Sequence, residues 1–221
     1  MISAWPAPTG DTEMVVSLDR QRPQRLLILP ALFAEANLLR HQTILIMHCL
    51  DKAGIDSFLP DLPGCNESLA PLTEQTLSSW QKAADAAATY FRATDILTIR
   101  GGILLAPQHF SGWSYAPVDG PSILRKMIRS RIIGQRETGI AEKREDLMIR
   151  GRSEGLELAG YRLGPAMIEQ LSRTGTARPG NLIEIPHSQL QEGPLWHRTE
   201  PDSNQKEAQS LTDYITKAAG Q

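Results

Sequence analysis

Two spacings of apolar residues alternate along the first hundred positions. Arg25 to Pro30 reads RLLILP, an unbroken apolar run of strand length closed by proline, which predicts a strand buried on both faces of a parallel sheet. Leu39, Thr43, Ile46 and Leu50 then recur at helical spacing, and Gly54 supplies a left-handed stop. Ile55 to Leu59 is a second strand-length run ended by Pro60, followed by loop chemistry in DLPGCNES, Asp61 to Ser68. Thr73 is the predicted cap of a helix whose Leu77, Trp80, Ala84, Ala87 and Phe91 share one face, with enough alanine to lie close to a sheet. Asp95 to Ile99, DILTI, is a third strand and breaks into Arg100, Gly101 and Gly102. Strands alternating with helices at this spacing require right-handed crossovers, so the fold class is α/β with a mostly parallel central sheet flanked by helices.

Further on, the pattern predicts a strand over Trp113 to Val118 and a basic amphipathic helix over Ser122 to Ile133. A polar helix, a small hairpin through Gly155 and Gly160, and a helix from Pro165 follow between Glu142 and Ser172. Leu182 to Ile185 is a late strand and Asn204 to Ala219 a closing helix. The chain of 221 residues is of a length for one domain. Its 23 basic and 25 acidic side chains leave a formal charge of −2, which gives no field for nucleic acid as a partner. The longest apolar stretch, Ile44 to Leu50, is broken by His48, so no membrane span is expected. No basic start precedes an apolar core, so no secretory signal is expected, and two cysteines, Cys49 and Cys65, fit a reducing cytoplasm.

Ligands of open parallel sheets sit at the carboxyl ends of the strands, which directs attention to the loops after Pro30, Leu59 and Ile99. The third has the form of a nucleophile elbow, in which glycines permit a tight turn and a serine stands at its apex. The five corresponding residues are Thr98, Ile99, Arg100, Gly101 and Gly102, so a permanent cation occupies the nucleophile's place. Arginine cannot attack an acyl carbon, but its fork of donors suits a carboxylate or phosphate.

Strand RLLILP, FAEANLLRHQ (Phe33 to Gln42), FLPDLPGCNES (Phe58 to Ser68) and the arginine elbow together resemble the second of two α/β-hydrolase-like families encoded beside exosortase A and PEP-CTERM sorting systems. SYAPVDGPSILRKMIRSRI (Ser114 to Ile132), LELAGYRLGPAMIEQL (Leu156 to Leu171) and GPLWHRTE (Gly193 to Glu200) are similar too. The resemblance implies an α/β-hydrolase-like fold and a setting in Gram-negative bacteria that make exopolysaccharide. We read residues 1–221 as a single such domain with residues 120–172 as a small helical cap. Two departures, threonine at position 98 and a short stretch between Gly102 and Trp113, point to a degenerate site.

The function expected on this reading is a cytoplasmic accessory protein of an exosortase-linked polysaccharide or protein-sorting system, without serine hydrolase turnover. A small anionic or acyl-bearing ligand is expected at Arg100, with Gly101, Gly102, Glu35 and Asn37 around it and other exosortase-system proteins as partners. Glu35 has a second role open to it, as the counter-ion of Arg100, and Asn37 as the cap of a helix over Leu38 to Leu50. A rival reading is a hydrolase or acyltransferase with Cys65 as nucleophile, its thiolate favoured by Arg100 and its proton taken by His197; against it stands an inert buried thiol. A third is pure scaffolding. An ordinary triad lacks its serine, and Pro186 and His187 stand where the acid belongs. Ser68 is read as a cap. The basic residues Arg125, Lys126, Arg129 and Arg131 form a lid, a docking face for an acidic partner, or a solvated face. His41, His48, His109, His187 and His197 have no metal-ligand spacing, and no metal or other cofactor is expected.

Overall fold

The chain opens with a feature absent from these expectations, an antiparallel pair of strands β1 (Ile2–Pro6) and β2 (Thr12–Leu18). The strands β3 (Arg25–Leu29), β4 (Asp56–Pro60), β5 (Asp95–Ile99) and β6 (Gly112–Tyr115) follow, with helix α1 (Ala34–Lys52) after β3 and α2 (Leu77–Tyr90) after β4. The computed structural model describes residues 1–8, 10, 12–176, 181–190 and 193–219. Helices α3 (Gly120–Glu137) and α4 (Arg144–Glu154), the hairpin of β7 (Leu156–Leu158) and β8 (Tyr161–Leu163), and α5 (Pro165–Arg173) separate β6 from β9 (Leu182–Ile185). Helix α6 (Gln205–Ala219) closes the chain.

The large sheet has the order β1-β2-β4-β3-β5-β6-β9, antiparallel at β1/β2 and β2/β4 and parallel from β4 to β9. The RLLIL run is buried on both faces, as an inner parallel strand must be. Leu26 and Ile28 pack with Leu39, Ile46 and Leu50 of α1 and Leu211 and Ile215 of α6. Leu27 and Leu29 pack with Phe58 and with Trp80, Ala84 and Ala87 of α2. Helices therefore cover both faces. The 120–173 segment is continuous with the second of these cores, through Ile123, Met127, Leu147, Met167 and Leu171. No described helix is long and apolar enough to cross a membrane.

Local chemistry moved several boundaries. Thr76, not Thr73, caps α2, accepting from the Ser79 N–H at 2.9 Å while Ser79 Oγ accepts from the Thr76 N–H at 2.9 Å. Thr73 lies in a 3-10 turn over Leu72–Glu74. Helix α1 begins at Ala34 and not at Leu38, behind Phe33, whose φ of 56° turns the chain sharply out of β3. Asp119 accepts from the Ser122 N–H at 2.7 Å and starts α3 before Ser122.

Candidate active site

β5 leads directly into a 3-10 turn over Arg100–Leu105 in which Arg100 has φ 53°, left-handed backbone that a side chain adopts only under constraint. The turn is held from three sides. The buried Thr98 hydroxyl donates to Ser114 Oγ at 2.9 Å, tying β5 to β6. A Cβ on Gly102 would lie 2.3 Å from the Leu29 carbonyl oxygen, so the elbow presses against the end of β3. A Cβ on Gly101 would meet Ile123 Cδ1 at 2.7 Å and Leu32 Cγ at 3.1 Å, so apolar side chains fill the space above it. Both glycines are packing positions.

At the apex, three of the five N–H groups of the Arg100 guanidinium have protein acceptors. Nε donates to Glu35 Oε2 at 3.0 Å, Nη2 to Glu35 Oε1 at 3.4 Å, and Nη1 to the Ala116 carbonyl at 2.8 Å. Its Cζ lies 4.1 Å from the centre of the Trp196 ring, a cation–π contact. Lys126 of α3 also donates to Glu35 Oε1 at 3.0 Å and to the Trp196 carbonyl at 3.2 Å. Glu35 stands in the first turn of α1, where the helix dipole favours an anion. Of the two roles weighed for Glu35, the structure displays that of counter-ion. Of the basic residues on α3, Lys126 serves this cluster and Arg131 pairs with Glu142 at 2.7 Å, whereas Arg125 and Arg129 are exposed.

Behind Trp196 lies a polar chain that the sequence did not suggest. The Tyr115 hydroxyl donates to Glu207 Oε1 at 2.7 Å and stands 2.6 Å from His187 Nδ1, so that nitrogen carries the imidazole proton. Burial and the Glu207 carboxylate push the Tyr115 phenol well above its ordinary range. His187 follows β9 as predicted, and its ring lies 4.7 Å from that of Trp196, as a neighbour of a tyrosine and not of a nucleophile. His197 is exposed, with its ring 6.0 Å from that of Trp196.

Cys65 belongs to a different space. It lines a cavity of about 230 Å³ between the loop after β3, the start of α1, the loop after β4 and Tyr161, and neither Arg100 nor any histidine lines that cavity. Burial pushes the Cys65 thiol up to about 12, helped by the carboxylates of Asp61 and Glu13. The rival reading of a thiolate is therefore corrected in favour of the inert thiol weighed against it: what acts on the sulfur is desolvation and negative charge, and both favour the thiol. Ser68 holds the same turn, accepting from the Gly64 N–H at 2.8 Å and the Ala70 N–H at 3.2 Å and donating to Glu13 at 2.7 Å. Asn37 is not a cap; its side-chain amide donates to the Tyr161 hydroxyl at 3.0 Å. Alkylation by iodoacetamide at pH 8.5 is expected to be at least about a hundredfold slower at Cys65 than at a free thiol, because only the thiolate reacts. Because the folded-state value is the raised one, the stability this group contributes is present up to the ordinary thiol range and is lost as pH climbs toward about 12. Labelling at the rate of an ordinary thiol would overturn the assignment.

Among the described residues, no three His, Cys, Asp or Glu side chains stand close enough to hold a metal ion. The residues missed from sequence, Ala116, Tyr115, Trp196 and Glu207, are joined to the elbow by tertiary contact alone and carry no local signal.

Neither a known family model nor any curated protein matches the chain. Solved structures do. Alpha/beta hydrolase domain-containing protein 10 from mouse superposes with a TM-score of 0.59 at 11% identity, over 100% of this chain and 98% of that one. The ferulic-acid complex of Est1E from Butyrivibrio proteoclasticus gives 0.57 at 12% identity, over 94% of each chain. A protein from Agrobacterium vitis S4 gives 0.57 at 13%, over 100% and 97%. At such identities the likeness speaks for architecture, and the architecture is that of an α/β-hydrolase, with a mostly parallel central sheet flanked by helices.

Proposed function

We propose that this protein is a non-hydrolytic member of the α/β-hydrolase fold, acting as an accessory protein of an exosortase and PEP-CTERM-linked exopolysaccharide or protein-sorting system. The observation that carries the loss of turnover is the paired guanidinium at the elbow: Arg100 is bound by Glu35, the Ala116 carbonyl and the Trp196 ring. A nucleophile there needs a base within hydrogen-bond reach, and the position holds a cation already neutralised by its neighbour. The same pairing weighs against Arg100 as a ligand site, since Glu35 already offsets its charge and an incoming anion would also meet that carboxylate. The elbow is better read as a structural hub that fixes the end of β5 to α1, α3 and the Trp196 turn, which favours scaffolding at this end of the sheet. The system-level role rests on the resemblance of DLPGC, the arginine elbow and LAGYRL, and the cytoplasmic setting on two cysteines that form no disulfide.

Hydrolysis of p-nitrophenyl acetate and butyrate is expected to stay at the level of an unrelated protein at equal concentration. Turnover that Arg100→Ala abolishes would sink the reading of the elbow. Deletion of the gene in a strain that carries it is expected to alter its exopolysaccharide or its sorted surface proteins, and an unchanged surface would remove the system-level role.

A further inference from the structure

The cavity that Cys65 lines stands apart from the elbow, and its chemistry is mixed. Its volume of about 230 Å³ is below the roughly 300–1,000 Å³ that houses drug-sized ligands, so its occupant is smaller. Leu32, Leu62, Phe33 and Trp80 supply apolar wall. Asp61, only 4% exposed, turns Oδ1 to the Asn66 side-chain amide at 2.6 Å and to Arg40 at 3.3 Å. The Tyr161 hydroxyl accepts from Asn37, which leaves its own proton for an acceptor. Asn37 and Asn66, both exposed, line the same space. Residues that carry donors and acceptors thus line one small space, and Ala36, Asn37 and Arg40 of α1 are the partly exposed part of its lining on the helix side.

We propose that this cavity is a binding site for a small neutral molecule bearing several hydroxyls, of hexose size or less. Hydroxyls satisfy both halves of the wall, donating to Asp61 and the asparagine carbonyls while accepting from Tyr161 and Arg40. An anion does not fit, because the wall carries the buried carboxylate of Asp61. Arg40, the one cation of the lining, is already paired with Asp61. The inference is independent of the elbow reading, since Arg100 does not line the cavity.

Titration calorimetry of the full chain with D-glucose, D-galactose, D-mannose and myo-inositol tests it, with D-glucuronate as the anionic counterpart. Binding heat is the readout because sugars raise the melting temperature of any protein by exclusion. At least one neutral compound is expected to bind with a Kd below about 10 mM, and D-glucuronate at least about tenfold more weakly. Ala36→Trp, which fills the space from the helix side, is expected to abolish the heat, and Tyr161→Phe to weaken binding at least about fivefold. No saturable heat from any of the four up to about 100 mM, glucuronate binding as tightly as the neutral compounds, or unchanged binding in Tyr161→Phe would overturn the proposal. None of these outcomes touches the absence of ester turnover.

Discussion

Glu35→Leu is expected to lower the unfolding free energy by about 3 kcal/mol, measured by urea denaturation. The substitution leaves Arg100, whose side chain is 13% exposed, beside an apolar residue, with only the Ala116 carbonyl and the Trp196 ring to replace its carboxylate. Lys126 is 52% exposed and can turn its ammonium into water. Lys126→Met is accordingly expected to cost less than about 1 kcal/mol, as surface pairs do. The double variant Glu35→Leu/Arg100→Leu removes both buried charges and is expected to lose clearly less than the sum of its two single variants, by about 1 kcal/mol or more. Strict additivity in this cycle would mean that the pair is not coupled and that the elbow is held by packing alone.

Gly102→Ala is expected to cost more than about 4 kcal/mol or to prevent folding. Its Cβ would lie 2.3 Å from the Leu29 carbonyl oxygen and 2.7 Å from that of Pro30, and both are backbone atoms of an inner strand and the loop it enters. Relief would require moving β3, which pairs with β4 on one side and β5 on the other. Gly101→Ala meets the tip of Ile123 instead, which can change rotamer, and about 1–2 kcal/mol is expected. Gly134, inside α3 with open space where a methyl group would stand, offers the opposite sign: Gly134→Ala is expected to stabilise by about 0.5–1 kcal/mol. Thermal melts of the three variants rank the effects, and a Gly102→Ala protein that melts like its parent would show that the elbow does not bear on β3.

The inner sheet was legible because burial on both faces leaves a continuous apolar run, as in RLLIL and DILTI, and because each run ends in proline or glycine. The pair β1 and β2 escaped notice for the converse reason. Trp5 is the buried residue of an otherwise exposed β1, and an edge of this kind has no run to read. Thr73 and Thr76 are equally good caps by composition, and the choice between them was made by Ser79, whose hydroxyl completes a reciprocal pair only with Thr76. The elbow was readable as a five-residue pattern and its arginine as a departure from it. The pairing of Arg100 with Glu35 stood as one of two open roles, whereas its contacts with Ala116 and Trp196, and the part of Lys126, join separate stretches that only the fold brings together. The choice between the two readings of Cys65 was out of reach for the same reason: Glu13, a member of the hairpin that went unread, supplies part of the charge around it.

The closed cluster at the apex of the elbow also bears on how such a chain can change. Serine in place of Arg100 would inherit the sharp turn but face a carboxylate that Lys126 still holds, beside an indole whose cationic lid has gone. A nucleophile at this turn would therefore need several substitutions at once, because the carboxylate, the ammonium and the indole around it are all arranged to hold a guanidinium.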